Sequence, residues 1–300
     1  MRKVKILFPA LVSVLLLAGC SLHLEDEKDA GEQPAGVVIE EKDGISYFHF
    51  QDVEENEYEA VLLESVPRCT YDFDRMITDE HSGYKSYLDE EHGVTSRMGI
   101  DVSEFQGEDI DWQQVKASGI EFVFVRVGYR AYGEGGELVL DAMFDQNMQG
   151  ALDAGLDVGV YFFSQAVSAA EVIEEAEFVL DHISPYEISG PVVYDTEEIS
   201  WDKARTDENT DQEFTNFCKI FCDTMEYEGY DTMIYANMKW MAFTLDMEEL
   251  KDYDFWYADY HELPQCPYDY KIWQYSESGS VPGIKGNVDL DIWFQEDEEK

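Results

Sequence analysis

From about residue 98 onward the sequence predicts an α/β fold closed into a barrel, and three observations carry that prediction. Short apolar strands alternate with helical patterns, helices fill the early gaps, and the last connections lack room for a helix with its loops. Eight strands with five helices crowded at the front imply an irregular (β/α)5β3, TIM-like barrel. Residues 37–97 carry strand signals alone and predict a small β-rich N-terminal extension ahead of it.

The leader is a separate object. Arg2, Lys3 and Lys5 precede an apolar run from Ile6 to Ala18 that only Pro9 and Ser13 interrupt. This run is shorter than the roughly 20 residues a spanning helix needs, so residues 1–19 read as an export signal peptide. Leu17-Ala18-Gly19-Cys20 resembles the lipobox of bacterial lipoproteins. That resemblance implies a lipid on Cys20 and an extracytoplasmic protein anchored to the bacterial cell membrane. Residues 20–36 are polar with Gly and Pro, and read as a flexible linker.

In the extension, Val37–Ile39, Ile45–Phe50 and Tyr58–Leu63 read as strands, with Asp43-Gly44 a hairpin-type turn between the first two. Periodicity is weak from there to Arg97. The barrel, residues 98–295, takes its strands at Gly99–Val102, Phe122–Val127, Val158–Phe163, Val192–Asp195, Thr232–Tyr235, Phe255–Ala258, Lys271–Gln274 and Val288–Ile292. Its helices are expected at Asp111–Ala117, Asp141–Ala154, Ala169–Ile183, Asp211–Glu228 and Asn237–Leu250. Gly155 and Gly229 sit where helix C-caps belong. Residues 296–300 form an acidic tail.

Composition removes several functions. Lys and Arg total 20 against 66 Asp and Glu, a net charge of −46, so the surface repels phosphate backbones and nucleic acid is excluded as a partner. A hydrophobic content of 45% with 14% aromatics excludes a disordered acidic chain. Beyond Cys20, the cysteines are Cys69, Cys218, Cys222 and Cys266, and sequence alone cannot pair them. Cys218 and Cys222 lie one helical turn apart without a second ligand pair, which predicts core packing and no metal.

In such a barrel the active site stands at the C-terminal strand ends, and carboxylates stand there. Asp101 sits near the end of the first strand, Asp195 and Glu197 end the fourth, and Asp289 lies in the eighth. Side-chain alternation points Asp195 and Glu197 the same way. Converging carboxylates raise one another's pKa, and a Glu protonated near neutrality is a general acid. The pair suits glycoside hydrolysis. The large negative field should lift Glu197 above the ordinary value of roughly 4.3. Aromatic candidates to hold sugar rings are Tyr161, Phe163, Tyr194, Tyr235, Trp256 and Trp273, with Tyr161, Tyr235 and Trp273 foremost. Asp259 and Gln274 are candidates for hydroxyl or acetamido groups. Arg126, Arg130 and Arg205 read as ion-pair partners for the abundant carboxylates.

Five segments carry a family resemblance: Gly99-Ile100-Asp101-Val102-Ser103-Glu104-Phe105-Gln106-Gly107 with Ile110-Asp111-Trp112, Gly159–Ser164, Asp195-Thr196-Glu197, Trp273-Gln274-Tyr275 and Gly286–Leu290. Together they resemble the glycoside hydrolase family 25 muramidases, the Chalaropsis-type lysozymes. The resemblance implies cleavage of the β-1,4 bond between N-acetylmuramic acid and N-acetylglucosamine in peptidoglycan, without cofactor, by a monomer. It implies Glu197 as general acid/base, Asp195 as the carboxylate assisting the substrate's 2-acetamido group, and Asp101 and Asp289 as supporting carboxylates. Thr196 stands where many relatives have Trp, and is expected to point away from the cleft. Rival readings are a non-catalytic wall-binding lipoprotein on the same barrel, a solute-binding lipoprotein, and a chitinase-type hydrolase. Against the last, this chain lacks a longer run of alternating acidic residues leading into Asp195.

Overall fold

A computed structural model describes residues 37–296 except position 201. The expected signal peptide, Cys20, the expected linker and residues 297–300 lie outside the described residues. The chain begins with β1 (Val38–Lys42), β2 (Ile45–Gln51) and β3 (Glu57–Val61), a three-stranded antiparallel sheet. A hairpin of β4 (Met76–Thr78) and β5 (Lys85–Asp89) follows, and β5 joins the edge of β6 (Val94–Val102).

Seven further barrel strands follow: β7 (Phe122–Arg130), β9 (Asp157–Phe163), β10 (Val192–Asp195), β11 (Thr232–Asn237), β12 (Phe255–Ala258), β13 (Ile272–Gly279) and β14 (Val288–Glu296), while β8 (Leu138–Leu140) only edges β7. The barrel strands from β6 to β13, β8 aside, pair in parallel. The eight-stranded barrel closes because β14 runs antiparallel to both β13 and β6. Between strands lie α1 (Trp112–Ala117), α2 (Phe144–Asp153), α3 (Ala169–Ile183), α4 (Asp211–Tyr227), α5 (Met238–Phe243) and α6 (Met247–Leu250).

Local chemistry explains where these elements begin and end. Asp111 and Ser168 cap α1 and α3, and Thr210 with Glu213 forms a capping box on α4. Gly155 and Gly229, at φ 74° and 92°, end α2 and α4 in the left-handed region that glycine tolerates. The helix expected from Asp141 starts later because the Asp141 carboxylate is engaged elsewhere. It accepts from the backbone N–H of Met143 and Glu104 and from Arg126. The single helix expected over Asn237–Leu250 is two. Asp246 interrupts it by capping the N–H groups of Glu248 and Glu249 while its own N–H donates to Thr215.

Two expected boundaries fall inside strands. β6 starts at Val94, so the division at residue 98 cuts it, and β14 runs through Glu296. The stretch before Arg97 lacks clear periodicity because its rings pack individually. Tyr71 stacks on Phe294 at 4.1 Å between centroids, with Phe73 and Tyr87 edge-on to the same ring. The β1–β3 sheet leans on segments that leave the C-terminal ends of β11 and β12. Phe50 and Tyr58 meet Phe243 of α5, and Gln265 holds the Gln51 backbone with both ends of its amide.

Side chains inside and outside the barrel form two cores. Phe122, Phe124, Val193, Met233, Tyr235, Trp256 and Ile272 fill the interior, and the helix layer packs outside. Cys69, Cys218, Cys222 and Cys266 are all free thiols and buried. The interior rings leave no room at two inward glycines. A Cβ at Gly99 would stand 2.2 Å from the Phe122 ring, and one at Gly159 would stand 2.4 Å from Phe124. Gly99→Ala should therefore lower stability by about 1–3 kcal/mol through overpacking, read as a depressed Tm in a thermal melt.

Candidate active site

Alternation along the strands decides which residues reach the open end of the barrel. A cavity of about 350 Å3 lies there, and Asp101, Asp195, Glu197 and Asp289 all line it. Asp101 is the next-to-last residue of β6 and faces Asp289 directly across the antiparallel β6–β14 pair. Asp195 is the last residue of β10. Glu197 lies two positions beyond, half-buried, with Thr196 buried between them.

A hydrogen-bond chain fixes one side of the cavity. The hydroxyls of Tyr235 and Tyr260 donate to Gln274 Oε1 at 2.8 and 2.9 Å. That orientation leaves the amide NH2 for Asp101, whose Oδ2 accepts from Gln274 Nε2 at 2.7 Å. Trp256 forms the floor. Its ring stacks on Phe124 at 4.6 Å and meets Tyr235 and Tyr161 edge-on. Its indole N–H donates to Asp291 Oδ1 at 2.9 Å.

The electrostatics follow from burying like charges. Burial first, then the charge of Asp289, pushes the Glu197 carboxyl up to about 7. The cause is therefore local, more specific than the general negative field the sequence suggested. Asp195 is held well above the ordinary range by burial and by Glu197, with Arg126 opposing. Its Oδ1 is buried without a hydrogen-bond partner among the described residues. Burial raises Asp101 strongly, and the charges of Asp289 and Asp291 add to it. Asp101 shares a hydrogen bond with Asp289 that raises the former and lowers the latter, so the proton rests on Asp101. Asp289 itself is pushed up to about 6, mainly by burial.

Among the described residues, no lysine or arginine lines the cavity. Arg126 pairs with Asp141 at 2.7 Å and Glu104 at 3.2 Å, Arg130 with Glu175 at 2.7 Å, and Arg205 with Glu171 at 2.8 Å. Their expected ion-pair roles match this geometry. A grouping with metal-ligand spacing, Glu40, His49 and Glu59, lies on the β1–β3 sheet and is already bridged by the Lys42 ammonium.

Of the residues expected to bind sugar, Tyr161, Tyr235, Trp256 and Gln274 line the cavity. Four do not. Tyr194 and Trp273 have outward parity in their strands: Tyr194 packs on Phe221 and bonds Ser164, and Trp273 donates to the Asp259 carbonyl and meets Tyr275. Asp259 also turns outward, toward Tyr257, His261 and Gln265. Phe163 shares the parity of Tyr161 but stands at the strand end, outside the lining. Sequence reasoning missed Tyr260, Glu277 and Asp291. Continuing the parity of Trp256 and Ala258 finds Tyr260, and that of Asp289 finds Asp291. Glu277 was hidden by register shifts in β13 on either side of Ser276.

Comparisons place this geometry among known proteins. The family described as "Glycosyl hydrolases family 25" matches residues 100–284. The autolytic lysozyme of Clostridium acetobutylicum is 30% identical over 194 residues, covering 64% of this chain and 54% of that protein. Lysozyme M1 of Streptomyces globisporus is 26% identical over 201 residues, 64% of this chain and 66% of that protein. The fold matches the modular autolysin LytC of Streptococcus pneumoniae, solved with a synthetic peptidoglycan ligand. The TM-score there is 0.60 at 22% identity, covering 85% of this chain and 57% of that one. It also matches the lysozyme of Streptomyces coelicolor, at TM-score 0.55 and 24% identity, over 65% of this chain and 90% of that one. The chain thus spans a little over half the length of the clostridial and pneumococcal proteins.

Raised carboxyl pKa values cost stability in a defined pH window. Glu197 ordinarily titrates near 4.5 and here near 7, so its contribution is fully present below 4.5 and lost as pH rises through 7. Glu197→Gln should be more stable than the parent by about 1–2 kcal/mol at alkaline pH and equal to it at acid pH. Thermal melts across that range check this.

Proposed function

The chain belongs to the glycosyl hydrolases of family 25, and on that premise we propose that it is a peptidoglycan hydrolase, an N-acetylmuramidase. The bond cut is the β-1,4 link between N-acetylmuramic acid and N-acetylglucosamine. One observation carries the reading: four carboxylates from three strand ends meet in one cavity, with Glu197 held near 7 beside a buried, unpartnered Asp195 oxygen. Its barrel is read as (β/α)5β3.

In this mechanism the Glu197 carboxyl donates its proton to the glycosidic oxygen as the C1–O bond breaks. The muramoyl 2-acetamido oxygen attacks C1 and forms an oxazolinium ion, whose N–H Asp195 accepts. Glu197, now a carboxylate, takes a proton from water as that water attacks C1 and the C1–O bond of the oxazolinium breaks, which restores the acetamide and the protonated Glu197 with net retention. Asp101 and Asp289, joined by one proton and locked by Gln274, hold the negative potential that favours an oxocarbenium-like transition state. The half-buried Tyr161 supplies a ring surface, with the buried Trp256 packed edge-on against it.

Support for the place of action comes from the leader. A lipid on Cys20, with residues 20–36 as tether, sets the barrel outside the cell membrane as a monomer against the wall. Cys20→Ser should then release the protein from membranes into the soluble fraction.

The activity test is release of reducing ends from purified peptidoglycan, with mass spectrometry of the products to fix the bond. Glu197→Gln should cut the rate by about 10²–10⁴-fold, and the parent's rate should fall as pH rises through about 7, where the acid loses its proton. Parental turnover by the Glu197→Gln variant would remove the residue from this role.

A further inference from the structure

The charge of the cavity carries a statement about which glycan it prefers. Five carboxylates line it: the four already described and Glu277, an exposed side chain that faces Asp289 closely enough to raise its pKa. Among the described residues no cation lines the cavity; Arg126, whose charge reaches Asp195, and Arg205 are both paired with carboxylates. Lys239, near the rim, is taken by Glu198 at 3.4 Å. Asp195 lines the same space, and its buried Oδ1 has no hydrogen-bond partner among the described residues. A neutral N-acetylated sugar leaves this potential unanswered, and a sugar carrying a free carboxylate opposes it. A protonated amine on a hexosamine ring answers it while the apolar face of that ring rests against the half-buried Tyr161.

Resting on the hydrolase reading above, we propose that the cavity selects glycan strands in which glucosamine residues carry a free, protonated 2-amine in place of the acetamide. The muramic acid at the cleaved bond keeps its acetamide, because the mechanism uses that oxygen. Glu277, the exposed carboxylate, is the specificity-determining residue, since an amine reaches it with the least desolvation.

The experiment uses glycan strands stripped of stem peptides, so that no stem amine supplies the cation. One portion has its glucosamine units N-deacetylated, and half of that portion is re-acetylated as the matched control. Binding is read by co-sedimentation with the full chain carrying Glu197→Gln, and cleavage by reducing ends released by the unsubstituted full chain. The deacetylated strands should bind roughly three- to tenfold tighter at low salt, a ratio that a single close charge pair in partly solvated surroundings provides. That ratio should shrink toward one at high salt and be lowered by adding Glu277→Gln. Equal or weaker binding of the deacetylated strands overturns the inference, as does a preference untouched by both salt and Glu277→Gln. Failure of the unsubstituted chain to cleave either polymer overturns the hydrolase reading instead, and leaves the binding ratio to judge the charge selection.

Discussion

Like charges brought together out of water govern this molecule. Asp101, Asp195, Glu197, Asp289 and the fully buried Asp291 approach one another at the open end of the barrel, and among the described residues no lysine or arginine shares the lining. Two charges a few ångströms apart in a medium drier than water repel by kcal/mol rather than tenths. Without a counter-ion, a proton is what relieves that repulsion. Asp101, Asp195 and Asp291 are all driven well above the ordinary carboxyl range, and Glu197 reaches about 7. A carboxyl protonated at neutral pH is what an acid catalyst requires, so the chemistry follows from the missing counter-ion.

The barrel makes that convergence possible by separating two kinds of surface on each strand. Inward parity brings the carboxylates to the rim and aromatic rings below them, while outward parity feeds the helix layer. Phe122, Phe124, Trp256 and Tyr235 fill the interior so completely that Gly99 and Gly159 have no space for a methyl group. The rings also keep the floor dry, which strengthens every interaction above it. Asp291 joins the two levels: it accepts the Trp256 indole N–H from beneath and adds its field to Asp101. The polar rim and apolar floor are parts of one arrangement.

Parity explains both what the sequence made legible and what it hid. Short apolar strands ending in Asp were readable because a buried parallel strand is a run of apolar residues, and β10 and β12 were placed to the residue. The four carboxylates followed from position at strand ends. Aromatics were harder, because a ring on either face is equally apolar: Trp273 and Tyr194 read like Trp256 and Tyr235 until register assigned them outward. Glu277 lay beyond any parity argument, since irregular pairing in β13 breaks the period of two. The single helix drawn over Asn237–Leu250 failed for a local reason, the cap at Asp246, which competes with continued helix on equal terms.

Scarce cations are spent where they hold the site from behind. Arg130 is buried against Glu175, whose second oxygen accepts from Ser164, and Ser164 N–H donates to the Asp195 carbonyl at 2.8 Å. Arg205 grips Glu171 and the Gln165 carbonyl, while the Gln165 amide reaches the Glu197 carbonyl. Both guanidiniums thus brace the backbone that carries the two central carboxylates without neutralising either side chain. Had they entered the cavity, the same charges would have lowered the pKa values that burial raises. Placing them one layer out gives the strand end rigidity and leaves the proton as the charge the cavity lacks.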